Sequence, residues 1–230
     1  VLVAGFPAAM FGTNCYVVAT APGQECLVVD PGIGVGEALE ELLAEHRLRP
    51  VAVLLTHGHL DHTFSVTPVC GARGIPAYVH SADRYRLADP ITTLGPQLKA
   101  MFGDALTWTE PDDIRELSDG AALSLAGLEL TVDHAPGHTE GSVLFRTAGT
   151  GQEPPMCLTG DVLFAGSIGR TDLPGGDPQA MTASLRTKIV TLADETVVLP
   201  GHGPQTTIAR ERATNPYLQD LARPAASRGV

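Results

Sequence analysis

The sequence predicts an α/β protein whose strands come in two successive batches, each followed by helices. Three observations carry this. The first batch leads into Val51-Ala-Val-Leu-Leu55, a short wholly apolar run of the kind expected of a strand covered on both faces. The second batch holds four strand-like runs between residues 121 and 159, after which Asp177-Pro178 supplies an N-cap and a proline at the first helical position. At 230 residues, 43% hydrophobic and 18% charged, the chain has enough apolar material for a real core. Two sheets packed together with helices outside satisfy the pattern, although the pattern alone does not force them.

Taken in order, Cys15–Ala19 and Cys26–Asp30 read as strands, the second closed by Pro31-Gly32. A helical pattern follows over Glu37–Arg47, with Leu39, Leu42, Leu43 and His46 on one face, until Pro50 stops it. Beyond the apolar run come a helix around Ser65–Arg73, a strand near Ala77–Val79 and a short helix Ser81–Ala88 closed by Pro90. The pattern loosens from Asp89 to Asp113, where Met101, Phe102 and Trp108 read either as a lid over a site or as loop aromatics folded onto the core. Strands are expected at Ala121–Leu125, Leu128–His134, Ser142–Thr147 and Met156–Thr159. The helix opened by Asp177 carries Met181, Leu185, Ile189 and Leu192 on one face. A strand Thr196–Leu199 and helices near Thr207–Ala213 and Pro216–Leu221 complete the chain. No repeat or composition shift divides it, so residues 1–222 are expected to be one domain and 223–230 a flexible tail.

Charge and composition exclude several classes. With 15 basic and 26 acidic residues the net charge is −11, so no positive field is available to grip a nucleic-acid backbone. Residues 1–24 lack charged side chains, but Gly5, Pro7, Gly12, Asn14 and Pro22 interrupt them and no basic segment comes first. That argues against a membrane span or signal peptide. Cys15, Cys26, Cys70 and Cys157 show no CxxC spacing; three of them lie within or beside apolar runs and read as buried thiols, which suits a cytoplasmic protein.

The chemistry concentrates in Thr56-His57-Gly58-His59-Leu60-Asp61-His62, directly after the apolar strand. Imidazole nitrogens and carboxylate oxygens are the donors a cation such as zinc prefers. A chain with no use for a cation has no reason to gather so much costly polar chemistry beside an apolar strand. His138, Asp161 and His202 each stand just past an expected strand and are each introduced by glycine. Strand ends from one edge of a layered fold meet in space, so these three can join the first cluster. Asp30 reads equally as a plain Asp-Pro-Gly turn or as a hydrogen-bond partner of a ligand histidine.

The pattern His57-x-His59-x-Asp61-His62 with His138, Asp161 and His202 resembles the metallo-β-lactamase superfamily, in its short glyoxalase II-like (hydroxyacylglutathione hydrolase) branch. The run from Gly160 to Asp172 is especially similar to short prokaryotic members. The resemblance implies a four-layer αββα sandwich with two metal ions, most often zinc and otherwise iron or manganese, at one edge of the two sheets. It implies that His57, His59 and His138 hold one ion, that Asp61, His62 and His202 hold the other, and that Asp161 bridges. It implies hydrolysis of an acyl thioester of a small thiol by a metal-bridging hydroxide, with Asp61 orienting the nucleophile or taking its proton.

In larger relatives of that kind a lysine and two tyrosines contact glutathione; here those positions fall at Arg170 and near Asp172 and Pro204. Arg170 is therefore the expected substrate contact, and the thiol is left open. The rival readings are a persulfide dioxygenase using one iron, a lactonase, and a non-catalytic metal-binding domain. A true β-lactamase is disfavoured, because the cysteine or serine patterns of those enzymes replace Asp161 or His62.

Overall fold

Strict alternation sorts the strand residues of this chain onto two faces, and both faces are apolar. In Cys26–Val29, Cys26 and Val28 face one buried cluster while Leu27 and Val29 face another; Val53 and Leu55 divide from Ala52 and Leu54 in the same way. A sheet with two apolar faces must be covered twice. The computed structural model describes residues 1–90, 100, 108–149, 151 and 153–222.

The first sheet has six strands in sequence order, β1 (Leu2–Pro7), β2 (Asn14–Ala19), β3 (Glu25–Val29), β4 (Arg49–Leu54), β5 (Ala77–His80) and β6 (Ile114–Leu117). The first two pairings are antiparallel and the last three are parallel. Helix α1 (Gly36–His46) makes the β3–β4 crossover, burying Leu39 and Leu43. Short helices α2 (Leu60–Thr63), α3 (Val66–Gly71) and α4 (Arg84–Ala88) lie among the following connections.

The second sheet runs β12-β11-β10-β9-β8-β7, from β7 (Ala122–Leu125), β8 (Leu128–His134), β9 (Val143–Thr147), β10 (Met156–Gly160), β11 (Val197–Pro200) and β12 (Thr206–Thr207). Its outer helix α5 (Pro178–Ser184) starts at Asp177, whose carboxylate accepts from the Gln179 and Ala180 amides. It continues through a π turn over Leu185–Ile189, and α6 (Ile208–Thr214) and α7 (Pro216–Ala222) follow.

Three apolar layers therefore separate four layers of structure. One lies between the first sheet and its helices. The second, including Leu54, Val132, Phe145, Leu158 and Leu199, lies between the sheets. The third packs Leu144, Cys157 and Val198 against Met181, Leu185 and Ile189. The fold is the αββα sandwich.

Strand direction explains where the site falls. Strands β3, β4 and β5 are mutually parallel, so Asp30, His57 and Asp83 leave the first sheet at one edge. Strand β10 is parallel to β11 and antiparallel to β9, which is antiparallel to β8, so β8, β10 and β11 point the same way. His138, Asp161 and His202 follow those three ends.

Three strands escaped the sequence reading, one of them the two-residue Thr206–Thr207. Leu2–Pro7 has the mixed exposure of an edge strand, and Ile114–Leu117 interrupts its apolar residues with Arg115 and Glu116. The helix expected at Ser65–Arg73 is shorter, over Val66–Gly71, with Ser65 at its N-cap, where the hydroxyl donates to the Gly32 carbonyl instead of accepting from a helix amide. Trp108 folds back on the first core cluster and donates its indole N–H to the Leu87 carbonyl. Met101, Phe102 and the tail 223–230 lie outside the described residues. All four cysteines are buried and unpaired. Among the described residues no helix is long and apolar enough to cross a membrane.

Candidate metal centre

The segment after β4 changes backbone type halfway along. His59 is extended (φ −69°, ψ 144°) and its carbonyl starts α2, accepting from the His62 and Thr63 amides at 3.0 and 3.1 Å. His57 and His59 thus leave non-helical chain, whereas Asp61 and His62 lie on a helical turn about 100° apart. One six-residue stretch can in this way feed two separate groups. The Val143 amide donates to the Thr56 carbonyl at 2.8 Å, tying the stretch to the second sheet.

The donors assemble as follows. His57, His59 and His138 form one group; Asp61, His62 and His202 form another; His57, His62 and Asp161 form a third between them. Within each group the donor atoms lie within 4.8 Å of one another. Asp161 spans the groups, with Oδ2 3.4 Å from His138 Nε2 and 3.6 Å from His202 Nε2, and Oδ1 3.4 Å from His62 Nε2. Asp61 Oδ2 stands 3.3 Å from His202 Nε2 and 3.6 Å from His62 Nε2.

This donor set fits a cation. His57 Nε2 and Asp161 Oδ1 are buried without a hydrogen-bond partner, at the cost that unpaired buried polar atoms carry. His59 Nδ1 faces His138 Nε2 at 2.8 Å, and His62 Nε2 faces His202 Nε2 at 3.3 Å. Ring nitrogens this close must share either a proton or a cation, and a cation would satisfy each of these contacts with lone pairs alone.

Three of the far nitrogens are held by other groups, whereas His59 Nε2 is buried without a partner. His62 Nδ1 lies 3.0 Å from Asp30 Oδ2, His138 Nδ1 lies 2.8 Å from the Arg170 carbonyl, and His57 Nδ1 lies 3.1 Å from the Thr56 hydroxyl. Asp30 also accepts from the Thr56 amide at 2.8 Å and its hydroxyl at 2.6 Å. Thr13 donates to Asp61 Oδ2 at 3.0 Å. Gly201 precedes His202 because a Cβ there would sit 2.2 Å from Asp161 Oδ1 and 2.7 Å from His62 Cε1.

Electrostatics separate the groups. Burial, reinforced by neighbouring imidazoles, holds His57 well below the ordinary histidine range; burial takes His59 down to about 3 and lowers His138 as well. Burial opposes the charged form of His62 too, but Asp161, Asp61 and Asp30 outweigh it and carry His62 well above 6.5. His202 is also raised, its hydrogen bond to Asp61 overcoming burial. Burial would push Asp61 and Asp161 up, yet the imidazoles around them, His62 foremost, hold both below the usual carboxylate range.

All seven donor positions marked in the sequence come together, and Asp30 stands behind two of them. Arg170 is placed differently from its expectation. Its guanidinium is exposed and engages Asp172 through two hydrogen bonds of 2.7 and 2.8 Å, so its backbone carbonyl is what reaches the cluster. His134 stacks on His80 at 3.9 Å, away from the donors. Sequence reasoning missed Thr13, Thr56, Asp83 and Arg86. Thr56 had no flag beyond opening the motif segment and Thr13 none beyond preceding a strand, and Asp83 lay unmarked inside the expected helix Ser81–Ala88.

The chain matches the family model of the metallo-beta-lactamase superfamily over residues 9–202 and belongs to that superfamily of metallo-hydrolases. Among its relatives, the hydroxyacylglutathione hydrolase GloC of Haemophilus influenzae is 33% identical over 217 residues, covering 92% of this chain and 95% of that protein. The crystal structure of the BLEG-1 B3 metallo-beta-lactamase superposes with a TM-score of 0.81 at 37% identity, covering 94% of this chain and 99% of that one. TTHA1623 in a di-iron-bound form superposes with a TM-score of 0.75 at 36% identity, covering 94% of this chain and all of that one.

Proposed function

We propose that this protein is a metal-dependent hydrolase that cleaves the acyl thioester of a small thiol. The observation that carries the reading is the convergence of seven donors into two groups joined by Asp161. In this reading His57, His59 and His138 hold one divalent ion, Asp61, His62 and His202 hold a second, and Asp161 serves both. Nitrogen-rich donors with carboxylates favour zinc and also accept iron or manganese, and a di-iron form is what the TTHA1623 structure contains. Such ions supply Lewis acidity and lower the pKa of water toward neutrality.

The chain's own residues supply the rest. Asp61 and His202 have side chains 26% and 28% exposed, while His57 and His62 are sealed, so substrate approaches from the Asp61–His202 side. With its carboxyl held below the usual range by His62 and His202 against the pull of burial, Asp61 stays ionised, a weak proton acceptor that still accepts a hydrogen bond. It therefore orients the attacking water, its Oδ2 fixed by Thr13. A thiolate, conjugate to a thiol of pKa about 8.5, leaves without a strong general acid. Support for a thioester comes from the GloC relative, and buried free thiols fit a reducing compartment such as the cytoplasm.

The likeness to BLEG-1 favours a second reading, in which the scissile bond is a β-lactam amide. Against it, Asp161 and His62 occupy the positions that serine or cysteine patterns replace in such enzymes. A one-iron dioxygenase needs only two histidines and an aspartate, fewer donors than converge here. Zinc-loaded protein, offered lactoyl and other acyl thioesters of glutathione and of other cellular thiols beside a chromogenic β-lactam, decides. Thioester turnover is expected; turnover of the β-lactam alone moves the assignment to the second reading, and no thioester turnover overturns the first.

A further inference from the structure

A fully buried carboxylate stands behind the first donor group. Asp83 closes the 3₁₀ turn Ser81–Asp83 at the end of β5 and has no exposed surface. Its Oδ2 accepts from the Gly58 amide at 2.7 Å and from the Thr139 hydroxyl at 2.7 Å. Its Oδ1 accepts from the Gly141 amide at 2.9 Å and from Arg86 Nε at 3.2 Å. Gly58 sits between His57 and His59, and Thr139 follows His138, so one carboxylate grips the backbone segments that carry all three donors.

Arg86 extends the grip. It too is fully buried, and its Nη2 donates to Glu140 and, at 3.0 Å, to the Pro174 carbonyl. Pro174 belongs to the loop of Arg170, whose carbonyl orients His138. The packing leaves no slack: a Cβ on Gly58 would meet Arg86 Cδ at 2.7 Å and Asp83 Cβ at 3.2 Å. Four donors converge on Asp83, so an amide in its place would point an NH₂ at donors.

The second group rests on different residues. Asp30 holds His62, Thr13 holds Asp61, and the Asn14 amide and Tyr16 hydroxyl both donate to the Pro200 carbonyl, two residues before His202. His57 is shared in one respect, since its ring meets Thr56, which is bound to Asp30. His59 and His138 have no such second support from the Asp30 side.

We propose that Asp83, backed by Arg86, is a positioning residue for the His57–His59–His138 group and leaves the Asp61–His62–His202 group untouched. The inference rests on the metal-binding reading above. A buried ion pair contributes little net stability compared with well-packed apolar side chains. Here it answers the need of two inward-bent backbone amides for an acceptor while fixing where the donors point. Partners behind metal ligands typically change metal affinity by about 10–100-fold when removed.

The test titrates metal-free protein with cobalt(II) alone, against a competing chelator, reading the visible absorption of each bound equivalent. Thermal unfolding of the metal-free forms is measured in parallel. D83N and the milder T139V are expected to weaken one equivalent by about 10-fold or more and to alter its spectrum, with the other equivalent within about 3-fold of wild type. Y16F is expected to spare the equivalent that D83N weakens. Should D83N fail to fold, T139V decides alone. Unchanged affinities, or both equivalents weakening together in step with a lowered unfolding temperature, overturn the role of Asp83. A wild type that takes up no cobalt overturns the metal-binding reading itself, so the two failures are distinguishable.

Discussion

Asp30 Oδ2 lies 3.0 Å from His62 Nδ1, joining two residues that are 32 positions apart and both buried. Asp30 reaches this contact from a left-handed backbone (φ +50°) in the turn Asp30-Pro31-Gly32. That conformation is uncommon outside glycine, and aspartate and asparagine are among the few side chains that tolerate it. The same carboxylate accepts both the amide and the hydroxyl of Thr56, so one side chain links the ends of β3 and β4 to the donor cluster.

Removing that carboxylate should therefore be severe. Asp30→Ala leaves the buried His62 ring and the Thr56 amide without their acceptor, and the expected loss is about 3–5 kcal/mol of stability. Urea unfolding of the metal-free protein measures it as a lowered midpoint. A loss under about 1 kcal/mol would contradict the role given to Asp30.

Asp61 should behave in the opposite manner. It is partly exposed and is assigned to water orientation rather than to the core. Asp61→Asn is expected to reduce kcat for thioester hydrolysis by about 10²-fold, the order that a misplaced reacting group costs. The unfolding temperature of the metal-free variant should stay near wild type. Equal losses of stability and activity would move Asp61 to a structural role.

The two groups should differ in how metal uptake responds to pH. In the metal-free fold His57, His59 and His138 lie below 6.5, so they are neutral at pH 7 and have no proton to release. His62 and His202 lie above 6.5, so a cation entering their group displaces protons. Calorimetry of zinc binding at pH 7, in buffers of different ionisation enthalpy, should show one equivalent with little proton release and one with substantial release. Equal release from both would contradict the assignment.

The same directions set acid stability. A histidine whose folded pKa is lowered binds fewer protons folded than unfolded, so its contribution is lost as pH falls below 6.5 toward the folded value, about 3 for His59. The lowered Asp61 and Asp161 add a further loss below the unfolded carboxylate value of 3.8. His62 and His202, being raised, act oppositely and lose their contribution as pH rises above 6.5. Metal-free protein is thus expected to be most stable near pH 6–7 and to weaken on both sides, read from denaturant midpoints against pH.

Much of this was legible in the residues because local chemistry forced it. The apolar run Val51–Leu55 had to be a doubly covered strand, and His57, His59, Asp61 and His62 beside it had no bland explanation. Leu128–His134 was readable from its alternation and matches the strand observed. The edge strands Leu2–Pro7 and Ile114–Leu117 were not, since an edge strand is partly exposed and loses the alternation that marks a half-buried one. Asp83 and Thr13 were invisible for another reason: their importance lies in contacts 25 to 58 residues away, which no local pattern records. Arg170 shows the converse, a side chain marked by its position while the chain uses its carbonyl.

The central claim, that the edge of this sandwich holds two divalent ions for thioester hydrolysis, is tested most directly by one paired measurement. Metal-stripped protein is titrated with zinc while bound metal, by elemental analysis, and lactoyl-thioester hydrolysis are followed together. The account predicts two equivalents bound, with activity absent in the stripped protein and rising to full value as they fill. A single bound equivalent, or full occupancy with no thioester hydrolysed, would contradict it.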